Sequence, residues 1–297
     1  MRSPRFYACG VKVDHVFLTR FNLPSPGPES YVRAQDGWLQ NRVDLFERYT
    51  VPSIRRQTVA GSFHWLVFLD CQSPQWLIDR LEPLVDEGLF HPVFGEEFSN
   101  AAIVGEAQAV SGRRSEMLLT TNLDNDDALA VDFAERLHAL VRPGERTALY
   151  LADGLILHGN AAYLRRDSAN AFVSVAEPWE GAESVWCEWH NLLRERMPVR
   201  SVRGRPGWLQ VVHGRNVSNR VRGRLADPRD YRDLFGGLID ELPIPARGAL
   251  LRDRMVEVPV RESREVARKA AKAALMRAVG KRGLDRVKEA LQARSAS

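Results

Sequence analysis

The feature that most constrains this fold is an alternation between two kinds of segment. Near-continuous apolar runs, "FHWLVFLD" (63–70) and "MLLTTNLDNDD" (117–127), and shorter ones, "DHVFLTRFNL" (14–23) and "LFHPVF" (89–94), each give way to helix-like sequence. Strands buried on both faces have to be apolar throughout, which these runs satisfy. The intervening helical segments are "WLQNRVDLFERYTVPSIRRQT" (38–58), "PQWLIDRLEPLVDEG" (74–88), "NAAIVGEAQAVSGRRSE" (100–116) and "LAVDFAERLHALV" (129–141). In the first of them Leu39, Val43, Phe46 and Tyr49 share a helical face, and Pro52 is expected to end or kink it. A loop rich in Pro, Gly and Ser, "LPSPGPES", separates it from the first strand. Four such alternations predict an α/β fold: a mixed, mainly parallel sheet flanked by helices.

From Arg146 the pattern changes. "TALYLADGLILHG", "AAYLRR" and "AFVSVAEP" read as short strands with no helices between them, hence as an antiparallel extension. The expected organisation is one domain over residues 1–260, with halves 1–145 and 146–260. A basic helical tail comes next, over 261–297, where Ala, Lys and Arg dominate.

In a parallel sheet, ligands gather beyond the carboxyl ends of the strands. Arg20, Asn22, Asp70 and Asp124 all fall at that edge. "LLTTNLDNDDAL" is the densest case: Asp124, Asn125, Asp126 and Asp127 come directly after a buried strand. Unit charges about 4 Å apart repel by about 4 kcal/mol at an effective dielectric near 20, so converging carboxylates need a cation. Hard oxygen ligands suit Mg²⁺ or Mn²⁺, which share their coordination with substrate phosphates. The plainer alternative is a solvated turn in which Asp126 or Asp127 caps the next helix. An EF-hand loop is excluded, because counting from Asp124 puts Leu129 and Glu135 where Gly and Glu are needed. A phosphohydrolase using Asp124 as nucleophile is a rival, although such an Asp normally lies near the chain start. A helical D-x-D-D cyclase is incompatible with the strands.

The net charge of +4 hides a segregation. Residues 194–224 hold nine arginines against Glu195, and 261–297 hold eleven basic residues against four acids, leaving −11 on the remainder. Two basic zones on an acidic body predict anionic partners. No run approaches the roughly 18 apolar residues of a membrane span. The first residues lack the pattern of a secretory signal, so a cytoplasmic location is expected. Cys9, Cys71 and Cys187 form neither a disulfide framework nor a metal spacing, and are expected to be buried.

"LTRFNL", "WLQNRVDLFERYTVPSIRRQT", "FHWLVFLD", "TTNLDNDDAL", "VWCEWHN" and "GWLQVVHGRNVSNR", spanning about residues 15–220, resemble the family of putative rhamnosyltransferases. That resemblance implies a GT-A-like fold and transfer of a sugar from a dTDP-, UDP- or GDP-sugar to a glycan or lipid-linked acceptor. It implies Asp124, Asp126 and His213 as ligands of Mn²⁺ or Mg²⁺, with Asp127 supporting them or touching the sugar. Asn122 stands where the family is expected to carry Arg. Arg20, Asn22 and Asp70 are candidates for the nucleoside, and Asn216 for the donor. A general base is sought among Glu177, Glu180, Glu183, Glu188 and His190, with Glu188 and His190 favoured because they lie in a matching block. Trp179, Trp186, Trp189 and Trp208 fall in the same half and offer sugar-stacking or core roles. The tail suits either a docked helix or contact with an anionic membrane surface, although its Ala-rich face lacks an aromatic anchor. No nucleic-acid partner is expected. A non-enzymatic anion binder is the remaining alternative.

Overall fold

A computed structural model of the chain describes residues 11–24, 37–59, 61–213, 222–264 and 266–267. Strands β1 (Val13–Arg20), β2 (Phe63–Leu69), β3 (His91–Phe94) and β4 (Met117–Asn122) lie side by side in the order β4-β1-β2-β3, all parallel. Beyond β4 the sheet becomes mixed. β9 (Ser174–Pro178) runs antiparallel to β4 and to β6 (Thr147–Leu151), and β10 (Val199–Val202) closes the seven-stranded sheet parallel to β6.

Side chains alternate across this sheet, as the strand period of two requires. Phe17, Trp65, Val67 and Leu119 join one apolar cluster with Val43, Phe46, Ile54, Leu77 and Phe133. Val16, Leu18, Leu66, Phe68 and Leu118 join another, with Ile103 and Ala107 of the helix Asn100–Ser111. Helices cover both faces, which is why the strands are apolar throughout.

The first helical segment is α1 (Trp38–Leu45), a π-helical turn (Phe46–Thr50) and α2 (Val51–Arg55). Pro52 does not end it. It sits in the first turn of α2, where the wide turn before it has already interrupted the ordinary hydrogen-bond ladder. Next come α3 (Gln75–Asp86) and α4 (Asn100–Ser111). α4 is capped by Ser99, whose hydroxyl accepts from Ala102 N–H at 3.2 Å, and closed by Gly112 at φ 70°. The helix expected over 129–141 is shorter, α5 (Phe133–His138), because Ala128 and Leu129 form strand β5. The apolar residues before α5 therefore serve a strand.

A second, five-stranded sheet has the order β12-β8-β7-β11-β5, built from β7 (Asp153–His158), β8 (Ala161–Arg166), β11 (Trp208–Val212) and β12 (Arg224–Ala226). Its β7–β8 and β8–β12 pairs are antiparallel, matching the extension read from the sequence. α6 (Arg232–Phe235) supplies Leu234 and Phe235 to the cluster beneath it. α7 (Arg247–Arg252) opens the C-terminal helix, which Asp253 docks by accepting from Leu225 N–H at 2.7 Å and Arg261 Nη2 at 2.6 Å. The remainder of the expected tail, 268–297, lies outside the described residues. Among the described residues no helix is long and apolar enough to cross a membrane. Cys71 is exposed and Cys187 half-buried, contrary to expectation. Both sit in connections after strands, where small residues need not face the core.

β7 and β11 approach so closely that Gly154 backs directly onto the Trp208 indole. That indole stacks on Phe172 with centroids 5.0 Å apart and donates to Leu151 C=O at 2.9 Å. A methyl group at residue 154 would land inside the ring system. Gly154→Ala is expected to destabilise the protein by about 1–3 kcal/mol through overpacking, with a shift in tryptophan emission; a urea unfolding curve superimposable on the parent's would refute this.

Candidate active site

The acidic turn is the junction between the two sheets. β4 belongs to the first sheet and β5 to the second, and residues 123–127 carry the chain across. Asn125 donates to Phe21 C=O at 2.6 Å, tying the turn to the end of β1. Thr50 Oγ1, in the π turn, donates to Asp127 C=O at 2.8 Å. Asp127 Oδ1 accepts from Val211 N–H at 2.8 Å, fastening β11.

The four residues of the turn take distinct roles. Asp124 is exposed, with Asn122 Nδ2 3.3 Å from its Oδ1. Asp126 is buried, and its Oδ2 takes both the Arg42 guanidinium and His213 Nε2, the latter at 3.0 Å. Burial pushes the Asp126 carboxyl up, but the His213 hydrogen bond and the Arg42 charge outweigh it and hold the group below the usual carboxylate range. Asp127 has no exposed surface, and among the described residues its Oδ2 has no hydrogen-bond partner. Burial, with Asp126 and Asp124 nearby, raises its carboxyl well above the ordinary value. Of the two roles expected of Asp127, the enclosed side chain that holds β11 suits support of its neighbours rather than contact with a sugar. Neither Asp126 nor Asp127 caps α5, whose cap position is Asp132.

The nucleoside candidates meet at the ends of β1 and β2. Asn22 is buried; its Oδ1 accepts from Asp70 N–H at 3.0 Å and its Nδ2 donates to Ser73 Oγ at 2.9 Å. Asp70 Oδ1 accepts from Gln72 N–H at 2.8 Å. The Arg20 guanidinium lies 4.5 Å from the centre of the Trp186 ring, and Trp186 Nε1 donates to Asn122 Oδ1 at 2.7 Å. Asn122 also donates to Ala171 C=O at 2.9 Å. An arginine at 122 has no acceptor for the Trp186 indole, so the amide suits this neighbourhood. Asn216 lies outside the described residues.

The segment carrying Trp186, Glu188 and His190 is pinned at its start. Glu177, fully buried, pairs with Arg146 at 3.0 Å and accepts from Ser184 N–H at 2.8 Å. Ser184 is held at φ 68°, a strained backbone for a residue with a side chain. Val185 N–H donates to Thr120 Oγ1 at 2.8 Å. Glu177 is thus an anchor rather than a base. Glu188 is half-buried and accepts from Trp189 N–H at 2.9 Å. Trp189 is exposed, whereas Trp179 and Trp208 are core residues.

His190 lines a cavity of about 220 Å³ together with Arg165, Asp167, Trp208, Gln210 and Arg222. Ala171, whose carbonyl Asn122 holds, lines it as well, so the cavity adjoins the polar end of β4. Burial lowers the His190 pKa and Asp167 opposes the fall, leaving an imidazole that is neutral near pH 7.

The expected metal ligands are only partly brought together. Asp126 and His213 touch, but among the described residues no three His, Cys, Asp or Glu side chains are grouped to hold an ion. The one carboxylate at the centre already carries a guanidinium. A dication about 4 Å from that guanidinium would meet a repulsion near 8 kcal/mol at an effective dielectric of ~20. As arranged, the described residues here do not fit a resident divalent ion. Sequence reasoning misses Arg42, Thr50 and the cavity residues Arg165, Asp167 and Gln210. The one available signal is Arg42 and Trp38 one helical turn apart, on a segment otherwise read for its apolar stripe.

Asp127→Asn keeps an oxygen for Val211 N–H and removes a group that is buried more comfortably as its neutral acid. Since the folded state holds the Asp127 proton more tightly than the unfolded chain does, parent stability declines as pH rises above about 4, and Asp127→Asn escapes that decline. Its advantage in thermal midpoint should therefore widen from pH 4 upward. Asp127→Ala, which strands the Val211 N–H, should lose about 1–3 kcal/mol. Equal midpoints for the three proteins at pH 7 would sink this account.

The family model described as "Putative rhamnosyl transferase" matches residues 14–225. No curated protein matches the chain. Among solved structures, S. aureus TarS 1–349 in complex with UDP is similar at TM-score 0.41 and 11% identity, covering 74% of this chain and 62% of that one. TarS 1–349 in complex with UDP-GlcNAc gives 0.43 and 11%, covering 74% and 64%. GalNAc-T7 with UDP, GalNAc and Mn²⁺ gives 0.40 and 12%, covering 70% and 45%. The chain thus spans less than two thirds of each of these three structures. The family match takes in β1, the acidic turn, the cavity and His213, and by it the chain belongs to the putative rhamnosyl transferase family of glycosyltransferases.

Proposed function

We propose that this protein transfers a sugar, rhamnose by the family's description, from a nucleoside-diphosphate donor to a hydroxyl group of a glycan or lipid-linked acceptor. The observation that carries this reading is the Arg42–Asp126–His213 cluster at the carboxyl edge of the parallel strands, inside the family-matched residues. Two basic side chains at the carboxyl ends of parallel strands suit a diphosphate.

In this reading the nucleoside lies against Asn22 and Asp70, which the Asp70 N–H donating to Asn22 Oδ1 holds together at the ends of β1 and β2. Asp70 suits a ribose hydroxyl or a base N–H. The diphosphate faces Arg42 and His213, whose charge and N–H groups favour the leaving group as the glycosidic bond breaks. The acceptor occupies the cavity lined by Arg165, Asp167, Gln210 and His190, where several hydrogen-bonding groups stand together as sugar hydroxyls require. His190, neutral and half-buried, takes the acceptor's proton; Glu188 is the weaker choice because its carboxylate is engaged by the neighbouring backbone. The Mn²⁺ or Mg²⁺ bridge expected from the D-x-D spacing would require Arg42 to leave Asp126, and no step here depends on it.

The test is a panel of dTDP-, UDP- and GDP-sugars, read by thermal shift and by release of the nucleoside diphosphate. At least one donor should stabilise and be turned over by the parent. Asp126→Asn and His213→Ala should lose the thermal shift. His190→Ala should keep it while kcat falls by about 10²–10⁴. A parent that neither binds nor cleaves any donor would end the proposal.

A further inference from the structure

We infer that Arg42 is the resident cation of this cleft: it occupies the carboxylate where the sequence pattern suggests a divalent metal, and it meets the donor diphosphate itself. The second half of the inference rests on the nucleotide-sugar reading above; the first does not.

Arg42 is held rather than free to swing. Its Nη1 contacts Asp126 Oδ2 and lies 3.3 Å from Asn125 Oδ1, so two residues of the acidic turn grip one corner of the guanidinium. Its Cζ lies 5.4 Å from the ring centre of Trp38, one helical turn earlier on α1, which limits rotation of the plane. The side chain is 12% exposed, against 6% for Asp126 and 18% for His213. Among the described residues Nε and Nη2 donate no hydrogen bond, and neither is a buried atom left without a partner. Half of the planar fork is therefore available to a ligand while the other half is anchored.

A guanidinium keeps its proton at any physiological pH, and its fork matches a pair of phosphate oxygens. It compensates Asp126 in the resting protein, which a metal would have to do by displacing it. In the transfer step the bond from the anomeric carbon to the diphosphate oxygen breaks and the acceptor oxygen bonds to that carbon. The acceptor proton passes to His190, and the diphosphate departs with the bonding pair. Arg42 hydrogen-bonds the oxygen on which that charge appears. Asp126 and His213 are then positioning residues, and the exposed Asp124 carboxylate is not needed to hold an ion.

The experiment uses the full chain and two probes. In a titration with Mn²⁺ followed by the electron paramagnetic resonance of the free ion, the parent should bind no Mn²⁺ at Asp126. Arg42→Met should gain one site, and Arg42→Met/Asp126→Asn should lose it again. In calorimetry with dTDP, UDP and GDP under chelator, the parent should bind as it does with Mn²⁺, and Arg42→Met should bind about tenfold or more weakly unless Mn²⁺ is supplied. Should Arg42→Met not fold, Arg42→Lys preserves the charge beside Asp126 and loses the fork: it should still exclude Mn²⁺ yet weaken nucleotide binding. One Mn²⁺ bound by the parent and removed by Asp126→Asn, or nucleotide binding abolished by chelator, would overturn the inference. If no nucleoside diphosphate binds the parent with or without Mn²⁺, the donor reading fails with the diphosphate half, while the Mn²⁺ titration still decides whether Arg42 excludes the ion.

Discussion

A carboxylate with almost no access to water is tolerated only when something nearby carries the opposite charge or donates strongly to it. Asp126 is such a group, and the elements around it converge on its needs. Arg42 arrives from the first helix and His213 from the end of β11, more than eighty residues away in the chain. Removing either partner would leave a buried charge undercompensated, so this cluster links the arrangement of α1, the acidic turn and β11 to one electrostatic requirement.

The same turn also settles how the two sheets meet. Asp127 fixes β11 through a single backbone N–H, and Thr50 grips the Asp127 carbonyl from the helical side. Next to Asp127, β5 pairs with β11 through Trp208–Leu129 and Leu209–Ala128. The acid-rich segment is therefore mechanical as well as chemical. Its exposed member, Asp124, lies beside Asn122, and its enclosed member, Asp127, holds the second sheet. Crowded like charges divide their roles by burial, with one ionised and paired and one kept near its neutral form.

The strands of the first half were legible because an apolar run of five to eight residues ending in polar groups suits little besides a strand covered on both faces. The carboxyl-edge position of Arg20, Asn22, Asp70 and Asp124 came from them directly. Region 180–225 was not legible, and for its first part the reason is a buried anchor, Glu177, whose partners Arg146 and Ser184 lie at unrelated spacings. From sequence, Glu177 looks like any surface glutamate. The compensating role of Arg42 was hidden for a similar reason: a helix face is read by its apolar stripe, and an arginine beside that stripe reads as solvent-facing. Of the stop or kink expected at Pro52, the stop does not occur, because a change in helix type, which no local residue pattern announced, had already altered the hydrogen bonding.

That change of helix type has a geometric corollary. A turn holding one residue more than usual offsets the angular phase of the downstream helix by about 100°. Upstream of Phe46, the rod brings Arg42 to the acidic turn and Val43 to the core; downstream, it brings Thr50 to the Asp127 carbonyl and Val51 and Ile54 to that same core. With the swollen turn in place, one helical segment serves both the acidic turn and the core along its whole length.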